Sequence, residues 1–172
     1  MRALPLAVLL ALAALAHAQE GRRSLLGIDL DPGWAEQEVK PPALPQEQNL
    51  VAFAVSAATA NRFFLDAQSI ATGADGVVRY TLVVRSQSGA ENVSFEGMRC
   101  ATGEIKRYAF ARKDGTWSPA RSPQWSPIRQ QEINNQHGVL YNNFLCDLGK
   151  PAGTPEAIVK SFKFPRARRA LD

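Results

Sequence analysis

Cysteine and histidine are the side chains of this 172-residue chain most able to carry chemistry, because thiolates and imidazoles act as nucleophiles, bases and metal ligands. A catalytic thiol needs a neighbouring base. On a helix, His137 would lie about two and a half turns before Cys146 and would not touch it. Cys100 can meet His137 only through the fold. Because the cysteine count is even, a Cys100–Cys146 disulfide is favoured over a reactive thiol or two unpaired thiols.

Other catalytic and metal-binding patterns are incomplete. Zinc needs clustered Cys or His ligands, and Asp29 and Asp31 lack the further ligands of a calcium loop. There is no G-x-S-x-G stretch and no glycine-rich phosphate loop. His137 falls on an apolar helical stripe, which predicts a packed, hydrogen-bonded core residue. Four carboxylates, which could in principle form a catalytic pair, are expected on solvated strand faces instead: Asp66, Glu96, Glu104 and Asp114. We therefore predict no catalytic residue, no metal and no cofactor.

The first residues predict export. Met1 and Arg2 are followed by an apolar run over residues 3–16 and by Ala-His-Ala, the pattern of a signal peptide over residues 1–18. The run is shorter than the roughly 20 residues of a membrane-spanning helix, and no later segment is long and apolar enough. Cleavage after Ala18 lowers the net charge from +4 to about +3. We expect a periplasmic or loosely envelope-associated protein, in a compartment that permits disulfides.

Basic and aromatic residues between positions 99 and 125 form the best candidate for a binding surface. Arginine and lysine beside aromatic rings suit anionic polymers or lipid headgroups. The predicted surface consists of Arg99, Lys106, Arg107, Tyr108, Trp117 and Trp125. The alternative is that the charges only keep a sheet face soluble, and that both tryptophans cover the sheet core. Export argues against nucleic acid as a partner, which leaves an unknown envelope protein or an anionic polymer.

Five strands are predicted after a proline-rich segment. Residues 19–48 hold four prolines and no sustained period, which predicts an extended, loosely held segment. Short β-rich runs separated by turn residues follow. The predicted strands cover residues 49–56, 62–70, 76–85, 92–100 and 104–112. Asp75-Gly76 marks a hairpin turn, and the slipped apolar phase between Ile105 and Tyr108 predicts a β-bulge.

Two helices are predicted after the strands. Ser126-Pro127 has the pattern of a helix start, and Thr154-Pro155 opens a second, shorter helix. The apolar face of the first helix comprises Ile133, His137, Leu140, Tyr141, Phe144 and Leu145, and that of the second comprises Ile158, Val159 and Phe162. We therefore predict a single α+β domain over residues 49–165, with an antiparallel sheet of about five strands followed by two C-terminal helices packed on one face. A basic tail covers residues 166–172.

Eight residues of the stretch 95–117 form a recognisable set: Phe95, Glu96, Gly97, Arg99, Cys100, Lys106, Tyr108 and Trp117. This set resembles the cryptic neisserial protein-like family of proteobacterial exported proteins, and the resemblance extends over about residues 34–165. It implies a bacterial envelope protein and brings no established activity or catalytic residue. We predict a non-enzymatic binding or structural module. The alternatives are a peripheral binder of anionic envelope polymers or lipid headgroups, and an enzyme of unknown reaction.

Overall fold

The computed structural model describes residues 33–129 and 133–163. The predicted signal peptide, Asp29, Asp31 and the basic tail lie outside these residues and stay predictions. The chain divides into two compact units, Met1–Ala35 and Glu36–Asp172, and the elements that follow belong to the second unit.

Ten strands are found in the described part of the second unit. They are β1 Leu50–Phe53, β2 Arg62–Asp66, β3 Ala71–Thr72, β4 Val77–Arg85, β5 Glu91–Arg99, β6 Glu104–Ala111, β7 Trp117–Pro119, β8 Ser126–Pro127, β9 Cys146–Asp147 and β10 Lys150–Pro151. Six of them lie side by side in the antiparallel order β1-β2-β4-β5-β6-β7, with β3 beside β4 and β8 beside β6. The hairpin of β9 and β10 forms a separate two-stranded sheet.

The sheet confirms the predicted α+β class but is larger than the five strands predicted. The five predicted strands correspond to β1, β2, β4, β5 and β6. The additional strands β3, β7 and β8 have only two or three residues each. Segments this short cannot show a strand period, so the sequence pattern does not reveal them.

The pairing of the central strands confirms two local predictions. Gly76 has a φ of +73° in the turn before β4, a conformation that glycine adopts without strain. Between β5 and β6, Phe95 pairs with Ala109 and Glu96 pairs with Arg107. Tyr108 is therefore the extra residue of a β-bulge.

The helical part begins later than predicted. Helix α1 spans Gln136–Leu140 and continues as a π-helical turn, Tyr141–Leu145, and helix α2 spans Pro155–Lys163. The predicted helix start at Ser126-Pro127 is wrong, because these residues form β8 beside Glu104 and Ile105 of β6. Proline is tolerated in such an edge strand. Asn135 caps α1 instead, its side chain accepting a hydrogen bond from the Gly138 N–H at 3.0 Å.

One face of the sheet packs against these helices. Val78, Tyr80 and Leu82 alternate along β4 and point into this core, as their period of two predicts. Leu140, Phe144, Leu145 and Ile158 join the core from the helical segments. Ile133 was predicted to share it but is 65% exposed, because it precedes α1. Among the described residues, no helix combines the length and the apolar character needed to cross a bilayer.

The opposite face of the sheet is covered by the segment 36–46, which has neither helix nor strand structure. The Gln37 N–H donates to the Asp75 carboxylate at 2.9 Å, and the Trp117 indole N–H donates to the Pro42 carbonyl oxygen at 2.8 Å. These hydrogen bonds show that this part of the predicted segment 19–48 is not loosely held. The segment therefore covers the part of this face near β4, β6 and β7.

Candidate functional site

Cys100 and Cys146 form a disulfide with their Cα atoms 5.5 Å apart, which confirms the predicted pairing. The bond joins the residue after β5 to the first residue of β9, and so ties the central sheet to the end of the helical segment. The Tyr141 hydroxyl donates to the Cys100 carbonyl oxygen at 3.0 Å across the same junction. Because both sulfur atoms are in the disulfide, neither cysteine is available as a nucleophile or metal ligand.

Glu96 is a buried carboxylate on the helix side of β5, with a side chain that is 1% exposed. It accepts hydrogen bonds from the hydroxyls of Ser94 at 2.7 Å and Tyr80 at 3.2 Å. His137 Nε2 lies 2.7 Å from Oε2 and donates, because an ionised carboxylate only accepts. Arg107 Nε lies 3.5 Å from Oε1. Burial raises the pKa of Glu96, but His137, Arg107 and the hydrogen bonds outweigh burial and hold this pKa below its ordinary value.

This network corrects one prediction and confirms another. Glu96 and Asp66 were expected on solvated strand faces, yet both are buried. The Asp66 carboxylate accepts from the Gln68 N–H at 3.1 Å, and burial raises the pKa of Asp66. His137 is hydrogen-bonded, as its position on the helical stripe predicts, but it is only partly buried.

The Glu96–His137 pair contains two members of a hydrolase triad, a carboxylate and an imidazole. The hydroxyls of Ser94 and Tyr80 both donate to Glu96, so neither is activated by the imidazole. The His137 side chain is only 12% exposed. Within residues 33–129 and 133–163, no group of three or more His, Cys, Asp or Glu side chains is arranged to hold a metal ion. The network holds α1 on the sheet and presents no activated nucleophile.

A second carboxylate, Glu36, is bound on the opposite face of the sheet. It accepts hydrogen bonds from Lys106 Nζ at 2.7 Å, Tyr108 OH at 2.8 Å and Trp125 Nε1 at 3.1 Å. The Lys106 ammonium also lies 5.4 Å from the centre of the Tyr108 ring. Sequence reasoning missed this site. Glu36 is an isolated acid in a proline-rich segment, 70 residues away from Lys106 along the chain, and no local pattern connects them.

The structure divides the six residues of the predicted binding surface into two groups. Four have contacts within the fold, namely Arg99, Lys106, Tyr108 and Trp117. Arg99 is 4% exposed, because it lies at the end of a strand in the middle of the sheet. The other two, Arg107 and Trp125, are bonded within the fold to Glu96 and Glu36, but they also line an open groove.

The groove lies between β6 and the loop that follows β7. Its lining includes Arg107, Phe110, Ser118, Arg121, Gln124 and Trp125. The Arg107 side chain is 42% exposed, Phe110 is 40% exposed and Arg121 is exposed. The lining found in the described part of the chain contains no carboxylate. The groove thus presents two guanidinium groups next to aromatic surface.

The Glu36 site depends on Gly97, because Tyr108 packs directly over this residue. A Cβ atom at position 97 would lie 2.5 Å from the Tyr108 hydroxyl oxygen and 2.9 Å from Tyr108 Cε2. We expect Gly97→Ala to displace Tyr108 from Glu36 and to lower the free energy of unfolding by about 1–3 kcal/mol, measured by urea denaturation. In a Tyr108→Leu background the same change should cost less than about 0.5 kcal/mol. An equal cost in both backgrounds would contradict this explanation.

Comparison with known proteins gives one family and one relative. The model of the CNP1-like family matches residues 29–163. Over 122 aligned residues, the chain is 32% identical to Cryptic neisserial protein 1 of Neisseria gonorrhoeae. The alignment covers 63% of this chain and 59% of that relative, so the chain spans less than two thirds of the relative's length. No solved structure matches the chain.

Proposed function

The chain belongs to the CNP1-like family, and from this premise we propose that it is a non-enzymatic binding module of the bacterial envelope. Its ligand is an anionic group of an envelope polymer or of a lipid headgroup, bound in the groove of Arg107, Arg121 and Trp125. The observation that carries the proposal is the pairing of two accessible guanidinium groups with aromatic surface in one groove.

The chemistry of the groove favours an anion over a neutral ligand. Arginine binds carboxylate and phosphate oxygens through a planar fork of N–H donors. Arg107 is partly neutralised by Glu96 at 3.5 Å, whereas Arg121 is exposed on the loop. Phe110 and Trp125 add apolar surface against which a sugar ring or a glycerol backbone can pack. Arg121 is therefore the residue whose charge is most available to a ligand.

A binding role is favoured over catalysis because the usual nucleophiles and bases are engaged elsewhere. The cysteines form the disulfide, and His137 and Ser94 both bond to Glu96. The groove lining in the described part of the chain includes serines but no histidine, cysteine or carboxylate that could activate them. Anion binding needs only the donors that the groove already presents.

The envelope location rests on the N-terminal residues and on the disulfide. The pattern of residues 1–18 is typical of a secretory signal peptide. A buried disulfide is common in exported proteins and rare in proteins of a reducing cytosol. Both observations support export, and together they make an envelope component the expected source of the anion.

Arg121→Ala is expected to weaken binding to an anionic partner about fivefold, because one basic side chain near an anionic surface contributes about 1 kcal/mol. Titration of the full chain with vesicles containing anionic phospholipid tests the lipid source. Titration with a soluble anionic polysaccharide tests the polymer source. Binding to the vesicles identifies the ligand as a lipid headgroup, and binding to the polysaccharide identifies it as an envelope polymer.

Lys160→Ala is the matched control, because it removes the same charge from an exposed position on α2 that does not line the groove. This variant should bind as the wild type does. Raising the salt concentration from about 50 to about 300 mM should weaken binding through screening. Equal losses in both variants, or binding that is insensitive to salt, would overturn the proposal.

A further inference from the structure

We propose that the sheet face opposite the helices is a peptide-binding site, filled here by the chain's own residues 36–42. The site accepts an extended peptide of another protein that carries one acidic residue. This inference does not rest on the proposed function, because it concerns a different ligand and its main contacts lie on the opposite face of the sheet. Trp125 borders both sites.

The acidic side chain is recognised by three donors. Lys106, Tyr108 and Trp125 all donate to the Glu36 carboxylate, at 2.7, 2.8 and 3.1 Å. Burial raises the pKa of Glu36, but these hydrogen bonds and the Lys106 charge outweigh it and lower the pKa. The site therefore favours an ionised carboxylate. The Glu36 and Lys106 side chains keep 20% and 18% of their surface exposed, so the pocket remains open to solvent.

Three further hydrogen bonds to this segment are made to its main chain. The Asp75 carboxylate accepts from the Gln37 N–H at 2.9 Å, and Arg79 donates to the Gln37 carbonyl oxygen at 3.1 Å. Trp117 donates to the Pro42 carbonyl oxygen at 2.8 Å. Main-chain contacts of this kind select an extended conformation and tolerate many side chains, as in other sites for extended peptides. The required feature is one acidic residue, followed six residues later by an accessible carbonyl oxygen.

Most of the donors are positioned by the sheet: Lys106 and Tyr108 lie on β6 and Arg79 lies on β4, whereas Trp125 lies just before β8. Arg79 and Asp75 form a buried ion pair through two hydrogen bonds, and Arg79 lies 5.9 Å from the centre of the Tyr108 ring. Tyr108 in turn packs over Gly97. The neighbouring strands β4, β5 and β6 hold Arg79, Gly97 and Tyr108, and Asp75 lies in the turn before β4. A second peptide would therefore meet a site that is already formed, which lowers the entropic cost of binding.

The covalent link makes the chain's own segment a strong competitor. A segment tethered by a short linker has an effective concentration in the millimolar range. A free peptide should therefore bind the wild type only at millimolar concentration. Weakening the Glu36 contacts releases the site without changing its donors, which makes Glu36→Gln the informative variant.

The test uses the full chain and a synthetic peptide with the sequence of residues 35–45, added in increasing amounts. Affinity is measured by calorimetry, and the indole N–H signals of Trp117 and Trp125 are followed by NMR. We expect the Glu36→Gln chain to bind this peptide about tenfold or more tightly than the wild type does. A peptide in which glutamine replaces the residue equivalent to Glu36 should bind at least about tenfold more weakly.

Two further variants locate the binding. Adding Lys106→Met to Glu36→Gln should abolish the gain, whereas adding Arg121→Ala should leave it unchanged, since Arg121 lies in the groove. If the Glu36→Gln chain does not fold, the wild type with millimolar peptide still decides the question, because only the acidic peptide should shift the Trp125 signal. Equal affinity for both peptides, or no shift of either indole signal at that concentration, would overturn the inference. So would a dimer that forms by exchanging the segment between copies.

Discussion

Replacing Cys100 and Cys146 together by alanine is expected to lower the free energy of unfolding by about 4 kcal/mol. The disulfide closes a loop across 46 residues of sequence, and removing it returns that loop-closure entropy to the unfolded chain. Removing the disulfide also unties the end of β5 from the end of the helical segment. These two ends meet in the buried core. A loss of this size corresponds to a drop in melting temperature of about 10–20 °C for a domain of this length.

Thermal and urea unfolding of the oxidised wild type and of the double variant measure this effect. The matched control is the reduced wild type, whose side chains have nearly their native volume, so it separates the loss of the covalent bond from the loss of packing. The reduced wild type should lie closer to the variant than to the oxidised chain. Thiol labelling of the denatured, unreduced protein should modify neither cysteine. A double variant with an unchanged melting temperature would contradict the structural role of the disulfide.

His137→Leu is expected to lower the free energy of unfolding by about 3 kcal/mol. The substitution removes the donor that lies 2.7 Å from Glu96, whose side chain is 1% exposed. Removing a hydrogen-bond donor from a buried, ionised carboxylate leaves its charge less compensated, and this loss is costly. Ser94 and Tyr80 still donate to Glu96, which keeps the loss at the lower end of the usual range.

A double-mutant cycle with Glu96→Gln tests the cause. Glutamine keeps an oxygen that accepts from Ser94 or Tyr80 but carries no charge that needs His137. His137→Leu should therefore cost only about 1 kcal/mol in the Glu96→Gln background, a coupling of about 2 kcal/mol. Equal costs in both backgrounds would show that His137 acts through packing alone. Urea denaturation at neutral pH provides the four free energies.

Lowering the pH should destabilise the fold through protonation of Glu96. The pKa of Glu96 in the folded chain lies below its ordinary value of 4.5. Its contribution to stability is therefore complete above about pH 4.5 and is lost as the pH falls through the lower folded pKa. The wild type should lose more stability on acidification below about pH 4.5 than the Glu96→Gln chain, which has no such group to protonate. Parallel losses in the two chains would argue against an ionised, buried Glu96.

Local features of the fold were predictable because short-range patterns carry them. The alternation of Val78, Tyr80 and Leu82 along β4 places one face in the core, and the slip at Tyr108 marks the bulge. Helix α2 follows from its spacing of apolar residues. Ser126-Pro127 was misread, because its helix-start pattern is also compatible with an edge strand. In the fold these residues pair with Glu104 and Ile105 of β6, so they form a strand and not a helix start.

The sequence by itself favoured the disulfide, carried the family resemblance and predicted export. Two cysteines allow only one intramolecular pairing, and the residues around Cys100 carry the CNP1-like pattern. Only the tertiary structure decided that Glu96 is buried beneath His137 and that Glu36 reaches Lys106 on the other face. These contacts join residues 41 and 70 positions apart. Sequence periodicity reports on neighbours along one element, whereas such contacts depend on the path of the chain between elements.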